Sequence, residues 1–208
     1  MRILFPAIFL AFFVCGDAIA QTTGATGSTR LPVRMGKVKF RTVETPQYAV
    51  KVDGSGGQQR ARNEWLEAVA EFDTAPEWTD ELTFVFHILL KGKAKDLPEG
   101  SKQFNNFTGD VTYINIPKNN GHRASIYLEP RILSRYGDVE GCAVEVKYKG
   151  QVVKTEVATG SPSSKWWGST AGGKAGQILG LLKNKSQTPF VFVDYDDHPL
   201  IKSFGVGQ

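Results

Sequence analysis

Three stretches of this chain hold side chains of the kinds that do chemistry. The first, Gly168-Ser169-Thr170-Ala171-Gly172-Gly173-Lys174-Ala175, follows the phosphate-binding pattern G-x-x-x-x-G-K until its final position. A nucleotide site needs Ser or Thr there to hold magnesium, and Ala175 has no oxygen to offer. Such a loop also sits between a buried parallel strand and a helix, whereas this one follows Lys165-Trp166-Trp167 in a chain patterned as all-β. A flexible glycine loop is the expectation. The second stretch, Asp194-x-Asp196-x-His198, puts three ligand-type side chains on one face if it is extended. Calcium takes carboxylates and zinc takes imidazole, but no second ligand group stands at recognisable spacing elsewhere, and Asp197-His198-Pro199 reads as the exit turn of a strand. The third is Cys142 with His87, a nucleophile and base on paper. A small core thiol and a strand histidine on the opposite face account for the same residues. There is no G-x-S-x-G elbow, and His87, His122 and His198 fall in a strand, beside a turn and in an exit loop. No catalytic residue, metal or cofactor is assigned, and the chain reads as a protein that is not an enzyme.

Trp78, Trp166 and Trp167 point to binding instead, because aromatic faces stack on sugar rings. Neighbouring side chains in an extended segment face opposite sides, so at most one of Trp166 and Trp167 is open while the other enters the core. Packing is the commoner role of aromatics in small β domains. These three are the candidate binding aromatics, and they keep a glycan-binding module in view as the alternative function. A metal-dependent hydrolase would need Asp194 and Asp196.

The elements that position these residues are organised around Asn63 to Gly92. Two apolar runs, Trp65 to Phe72 and Leu82 to Leu90, are joined through Asp73 to Asp80, a stretch rich in turn formers, which suggests a central hairpin. The second run is aromatic and β-branched, as a packed strand requires. The first is ambiguous: Trp65, Leu66, Val69 and Ala70 suit a helix face, whereas Leu66, Ala68, Ala70 and Phe72 suit a strand face. The tight connection to Leu82 favours the strand.

Residues 1–20 carry the marks of a signal peptide: Arg2, an apolar core from Ile3 to Val14, and the small-x-small site Ala18-Ile19-Ala20. The apolar run is shorter than the roughly 20 residues that span a bilayer. Cleavage before Gln21 leaves Cys142 as the sole cysteine of the mature chain, so no internal disulfide is expected. Residues 21–33 read as a flexible tether, 34–203 as one domain and 204–208 as a loose tail. Strands are expected from Met35 to Thr42, Tyr48 to Val52, Val111 to Ile116, Arg123 to Leu128, Ala143 to Tyr148, Gln151 to Val157 and Phe190 to Tyr195. Lys93 to Asp110 reads as a polar excursion, and Lys118-Asn119-Asn120-Gly121 as a hairpin turn before the partner strand at Arg123. Short helices are expected at Pro130 to Arg135 and around Gln177 to Leu182. Many short strands with turns between them give an all-β, immunoglobulin-like antiparallel sandwich with one or two short helices. The formal charge of +4 is spread without a run of five like charges, which gives nucleic-acid binding no support.

The phrases Asn63-Glu64-Trp65-Leu66, Phe72-Asp73-Thr74, Asp80-Glu81-Leu82-Thr83-Phe84, Tyr127-Leu128-Glu129-Pro130, Arg135-Tyr136-Gly137 and Gln187-Thr188-Pro189-Phe190 resemble a family of secreted immunoglobulin-like proteins. That family is associated with type IV pilus gene clusters in Akkermansia and related Verrucomicrobia. The resemblance implies a secreted structural or interaction protein of the pilus or outer cell surface, with protein partners in the envelope and no membrane span in the mature chain. A pilin that polymerises keeps its apolar N-terminal helix, whereas this leader fits removal of the whole apolar run. An accessory component is therefore implied over the main filament subunit.

Overall fold

Alternating apolar and polar residues build ten strands among the described residues of the computed structural model, which are 33–47, 63–92, 103–158, 165–168 and 175–203. The strands are β1 (Val33–Glu44), β2 (Glu64–Thr74), β3 (Trp78–Lys91), β4 (Phe104–Pro117), β5 (His122–Leu128), β6 (Asp138–Tyr148), β7 (Gln151–Val157), β8 (Ala175–Leu179), β9 (Lys183–Asn184) and β10 (Leu200–Ile201), with helix α1 at Pro130–Tyr136. One sheet runs β1-β2-β5-β9 and the other β10-β4-β3-β6-β7, with β8 also on β4. The result is the β-sandwich that the strand pattern implies. The leader, the strand expected at Tyr48 to Val52 and the tail 204–208 lie outside the described residues, as does the tether apart from Val33, which opens β1.

The core lies between the sheets. Leu66, Ala68, Ala70 and Phe72 of β2 face Leu82, Phe84, Phe86, Ile88 and Leu90 of β3, joined by Phe107, Val111 and Tyr113 of β4 and by Cys142, Val144 and Val146 of β6. Each large apolar side chain so enclosed contributes about 1.5–3 kcal/mol relative to exposure. Asn115 takes a left-handed conformation (φ 50°), after which Ile116 is buried as well.

Trp65 to Phe72 is a strand, but not for the reason the sequence suggested. β2 pairs with β1 and β5, and β3 pairs with β4 and β6, so the expected central hairpin is a crossing from one sheet to the other. The Asn-Gly turn does the same: β5 pairs with β2 rather than with β4. The two crossings lie side by side and bind each other. Thr74 donates its N–H to the Asn119 carbonyl (3.0 Å) and its hydroxyl to the Pro117 carbonyl (2.7 Å), while Gly121 N–H reaches Asp73 Oδ1 (2.9 Å) and Lys118 N–H reaches the Glu77 carbonyl (2.8 Å). These mutual bonds satisfy backbone groups that two hairpins would have paired within one sheet.

Three other expectations are corrected. The polar excursion ends earlier than Asp110, because β4 begins at Phe104 and its Phe107 enters the core opposite Ile88. The helix expected at Gln177 to Leu182 is replaced by β8, which runs parallel to β4 from Phe104 to Thr108; an open sheet edge outweighs a short helical pattern. The strand expected at Phe190 to Tyr195 is a series of turns, with Val193 N–H bonded to the Phe190 carbonyl and Asp194 left-handed at φ 48°. The helix at Pro130 forms with proline in its first turn, and Gly137 (φ 98°) closes it.

Candidate functional site

His87, Trp166 and Trp167 meet on the outer face of the larger sheet. Register places His87 between Thr108 and Ala143, and its Nδ1 lies 3.0 Å from Thr108 Oγ1. The segment carrying Lys165-Trp166-Trp167 folds over it. Trp167 stacks on the imidazole with ring centres 5.5 Å apart and donates Nε1–H to Glu145 Oε1 at 2.9 Å, while Lys165 Nζ stands 3.2 Å from the same oxygen. Trp166 packs edge-on against Trp167. Leu89, Ala143 and the partly buried Phe104 complete this second apolar cluster. Neither tryptophan of the pair is open to solvent, because both are spent covering this face.

Burial lowers the His87 pKa to about 4, with Glu145 opposing. Burial pulls the Glu145 carboxyl up, but the bonds from Trp167 and Lys165 outweigh it and hold it low. Cys142 sits opposite Ile88 on the inward face, and burial alone pushes its thiol up to about 12. Cys142 and His87 therefore lie on opposite faces of the sheet, with no nucleophile–base contact between them. Trp78, at the start of β3, differs from the other pair in that its ring is 61% exposed.

The phosphate-loop pattern is described only at Gly168 and Ala175, and Ala175 opens a strand where a nucleotide loop would start a helix. Asp194, Asp196 and His198 do not line one face, because a 3-10 turn at Tyr195–Asp197 replaces the extended geometry. Arg123 pairs with Asp194 (3.4 Å) and with Asp197 (2.9 Å). Burial, and then Lys185, lowers the His198 pKa to about 4. Among the described residues no three carboxylate, imidazole or thiol groups gather as a metal would need.

What the turns of residues 185–199 do instead is cap the outer face of the smaller sheet. Phe190 stacks on Tyr127 (4.9 Å, 8°) and meets Trp65 edge-on (5.8 Å). Beneath it Tyr127 donates its hydroxyl to Glu67 Oε1 (2.7 Å), and Arg41 Nε donates to Glu67 Oε2 (2.6 Å). Lys185, buried, donates to the Asp194 carbonyl at 3.2 Å. Burial lowers its pKa, while Asp194, Glu67 and Asp197 oppose. Outside these anchors Phe192, Tyr195 and Leu200 stand exposed, and Tyr195 and Leu200 flank a cleft of about 430 Å³ that is also lined by His198 and Ile201. No residue spacing signals this cap. Only the register that sets Glu67 opposite Tyr127 brings its parts together.

No curated protein matches the sequence. Among solved structures, a crystal structure of a protein from Akkermansia muciniphila is similar, with a TM-score of 0.69 over 83% of this chain and 94% of that one, at 24% identity. That likeness speaks for the fold. A family model matches residues 25–203, which take in every strand from β1 to β10, and the chain belongs to that family, the immunoglobulin-like family of Akkermansia and related bacteria that its structural phrases resemble.

Proposed function

We propose that this protein works by contact, as an exported, non-enzymatic accessory component of type IV pili or of the outer cell surface. The observation that carries the reading is the C-terminal cap. Phe192 (73% exposed) and Tyr195 (64%) project from a segment that Phe190, Arg123 and Lys185 hold in place from beneath, with Leu200 (58%) of β10 across the adjoining cleft. Exposed aromatic side chains on an anchored support are what protein interfaces are enriched in. Family membership and the leader at residues 1–20 support the compartment, and mature protein from the native host should start at Gln21. The test is a cross-linked pull-down from the native envelope. Wild type should recover pilus or surface proteins and the Phe192→Ala/Tyr195→Ala variant should not; equal recovery by both would sink the proposal.

A second reading follows from Trp78. Its open ring suits stacking on a sugar, and glycan-array binding that disappears in Trp78→Ala with folding intact would favour a glycan-binding module.

A further inference from the structure

Strand β7 closes one end of the larger sheet, and among the described residues nothing pairs with its far edge. The strand Gln151-Val152-Val153-Lys154-Thr155-Glu156-Val157 is rich in β-branched residues, and both Val152 (50%) and Val157 (38%) are exposed. A free edge of this composition is a template for another strand. The hydrogen-bond phase shows which groups it presents. Ala158 N–H bonds to the Cys142 carbonyl, and the register continues Ala143 with Val157, Val144 with Glu156, Glu145 with Thr155 and Val146 with Lys154. In an antiparallel ladder the bonded pairs alternate, so Glu156 and Lys154 turn their backbone groups toward β6. Thr155 and Val157 turn theirs outward.

The edge matches itself. Laid antiparallel on a second copy about a two-fold axis through Thr155, it sets Thr155 opposite Thr155, and both present outward N–H and C=O groups that exchange bonds. Lys154 falls opposite Glu156 of the other copy, and Glu156 opposite Lys154. Within one chain these two already pair at 3.1 Å, on a rim where both stay partly open, so each is free to bridge to the other copy as well. Val153 lies outside this matched stretch, because the register breaks just past Lys154 and turns Val153 onto the core. Opposite charges and β-branched pairs directly across a ladder each add to its stability, and an isologous contact of this kind closes on two copies.

We propose that β7 is a homodimerisation edge, joining the larger sheets of two copies into one continuous sheet by antiparallel β7–β7 pairing centred on Thr155. The proposal does not rest on the pilus reading.

Sedimentation velocity on the mature chain tests it, with Lys154→Glu, Glu156→Lys and Thr155→Pro as variants. Wild type should show a concentration-dependent dimer. Lys154→Glu sets Glu against Glu and Glu156→Lys sets Lys against Lys, so each alone should be monomeric, whereas an equimolar mixture of the two restores opposite charges at both positions and should dimerise. Thr155→Pro removes an outward N–H that β6 does not use, and should abolish the dimer while circular dichroism stays unchanged. A wild type that stays monomeric at millimolar concentration overturns the proposal. So do single variants that dimerise like wild type, or a mixture that stays monomeric.

Discussion

Tyr127 donates its hydroxyl to Glu67 across the β5–β2 ladder at 2.7 Å, and the pair is sealed from solvent by the ring of Phe190 stacked on Tyr127. Burial, reinforced by the Glu67 charge, raises the Tyr127 pKa, so the hydroxyl stays a donor at any ordinary pH. Tyr127→Phe removes that donor and leaves one oxygen of a buried carboxylate without it. A loss of about 1–3 kcal/mol should follow, read from urea denaturation.

Phe190→Ala should act on the cap more than on the sandwich. The ring bridges Trp65 and Tyr127, so its removal takes away the aromatic anchor of residues 185–199 while the Arg123 ion pairs to Asp194 and Asp197 stay. Limited proteolysis should cut this segment faster than in wild type, and the global loss should be about 3–5 kcal/mol. Cleavage elsewhere first would mean that the cap is not a separable unit.

Acid should weaken the fold between pH 6.5 and about 4. His87 and His198 are both held near a pKa of 4 by burial, against 6.5 in an open chain. Above pH 6.5 both states are neutral and nothing changes. Below it the unfolded chain takes up protons that the folded one refuses, and stability falls until about pH 4, by on the order of 3 kcal/mol per histidine. Glu145, Lys165 and Lys147 face His87, and only Glu145 opposes this trend. Comparing urea midpoints at pH 7.5 and 4.5, His87→Gln should lose roughly half of the wild-type pH dependence, given two histidines of similar shift. An unchanged dependence would exclude His87 as its source.

Gly137 should tolerate no side chain. Its φ of 98° is costly for any other residue, and a Cβ there would collide with the backbone carbonyl of Lys91. Gly137→Ala should cost about 2–4 kcal/mol, visible as a lowered melting temperature.

Cys142 should be inert in the native protein. Its thiol lies in the core, and burial pushes its pKa up to about 12, so a thiol-specific reagent at pH 8 should label it only after denaturation.

The strands were legible in the sequence wherever apolar residues alternate without interruption, as at Leu82 to Leu90, and so was the proline-initiated helix at Pro130. Their partners were not. A three-residue link such as Ala75-Pro76-Glu77 serves a hairpin or a crossing between sheets equally well, and only tertiary pairing decides. At Gln177 to Leu179 the local pattern lost to an edge of β4 that is distant in sequence. The candidate site suffered most. Trp166 and Trp167 are indistinguishable from exposed aromatics until His87 and Glu145 are seen beneath them, and the apolar Phe192 and Tyr195 read as strand interior although they face solvent. The spacing of Asp194, Asp196 and His198 suggested shared ligation only because an extended backbone was assumed.

The paired crossings at Thr74 and Asn119 bear on how the chain reaches this state. Because β2 and β3, though adjacent in sequence, belong to different sheets, and so do β4 and β5, neither sheet can be completed from a continuous piece of chain. Each waits on segments dozens of residues away, a topology of high contact order that folds slowly and exposes unpaired strands while it does so. Thr74 and Asn119 would then lock late and together, making the two sheets a single cooperative folding unit.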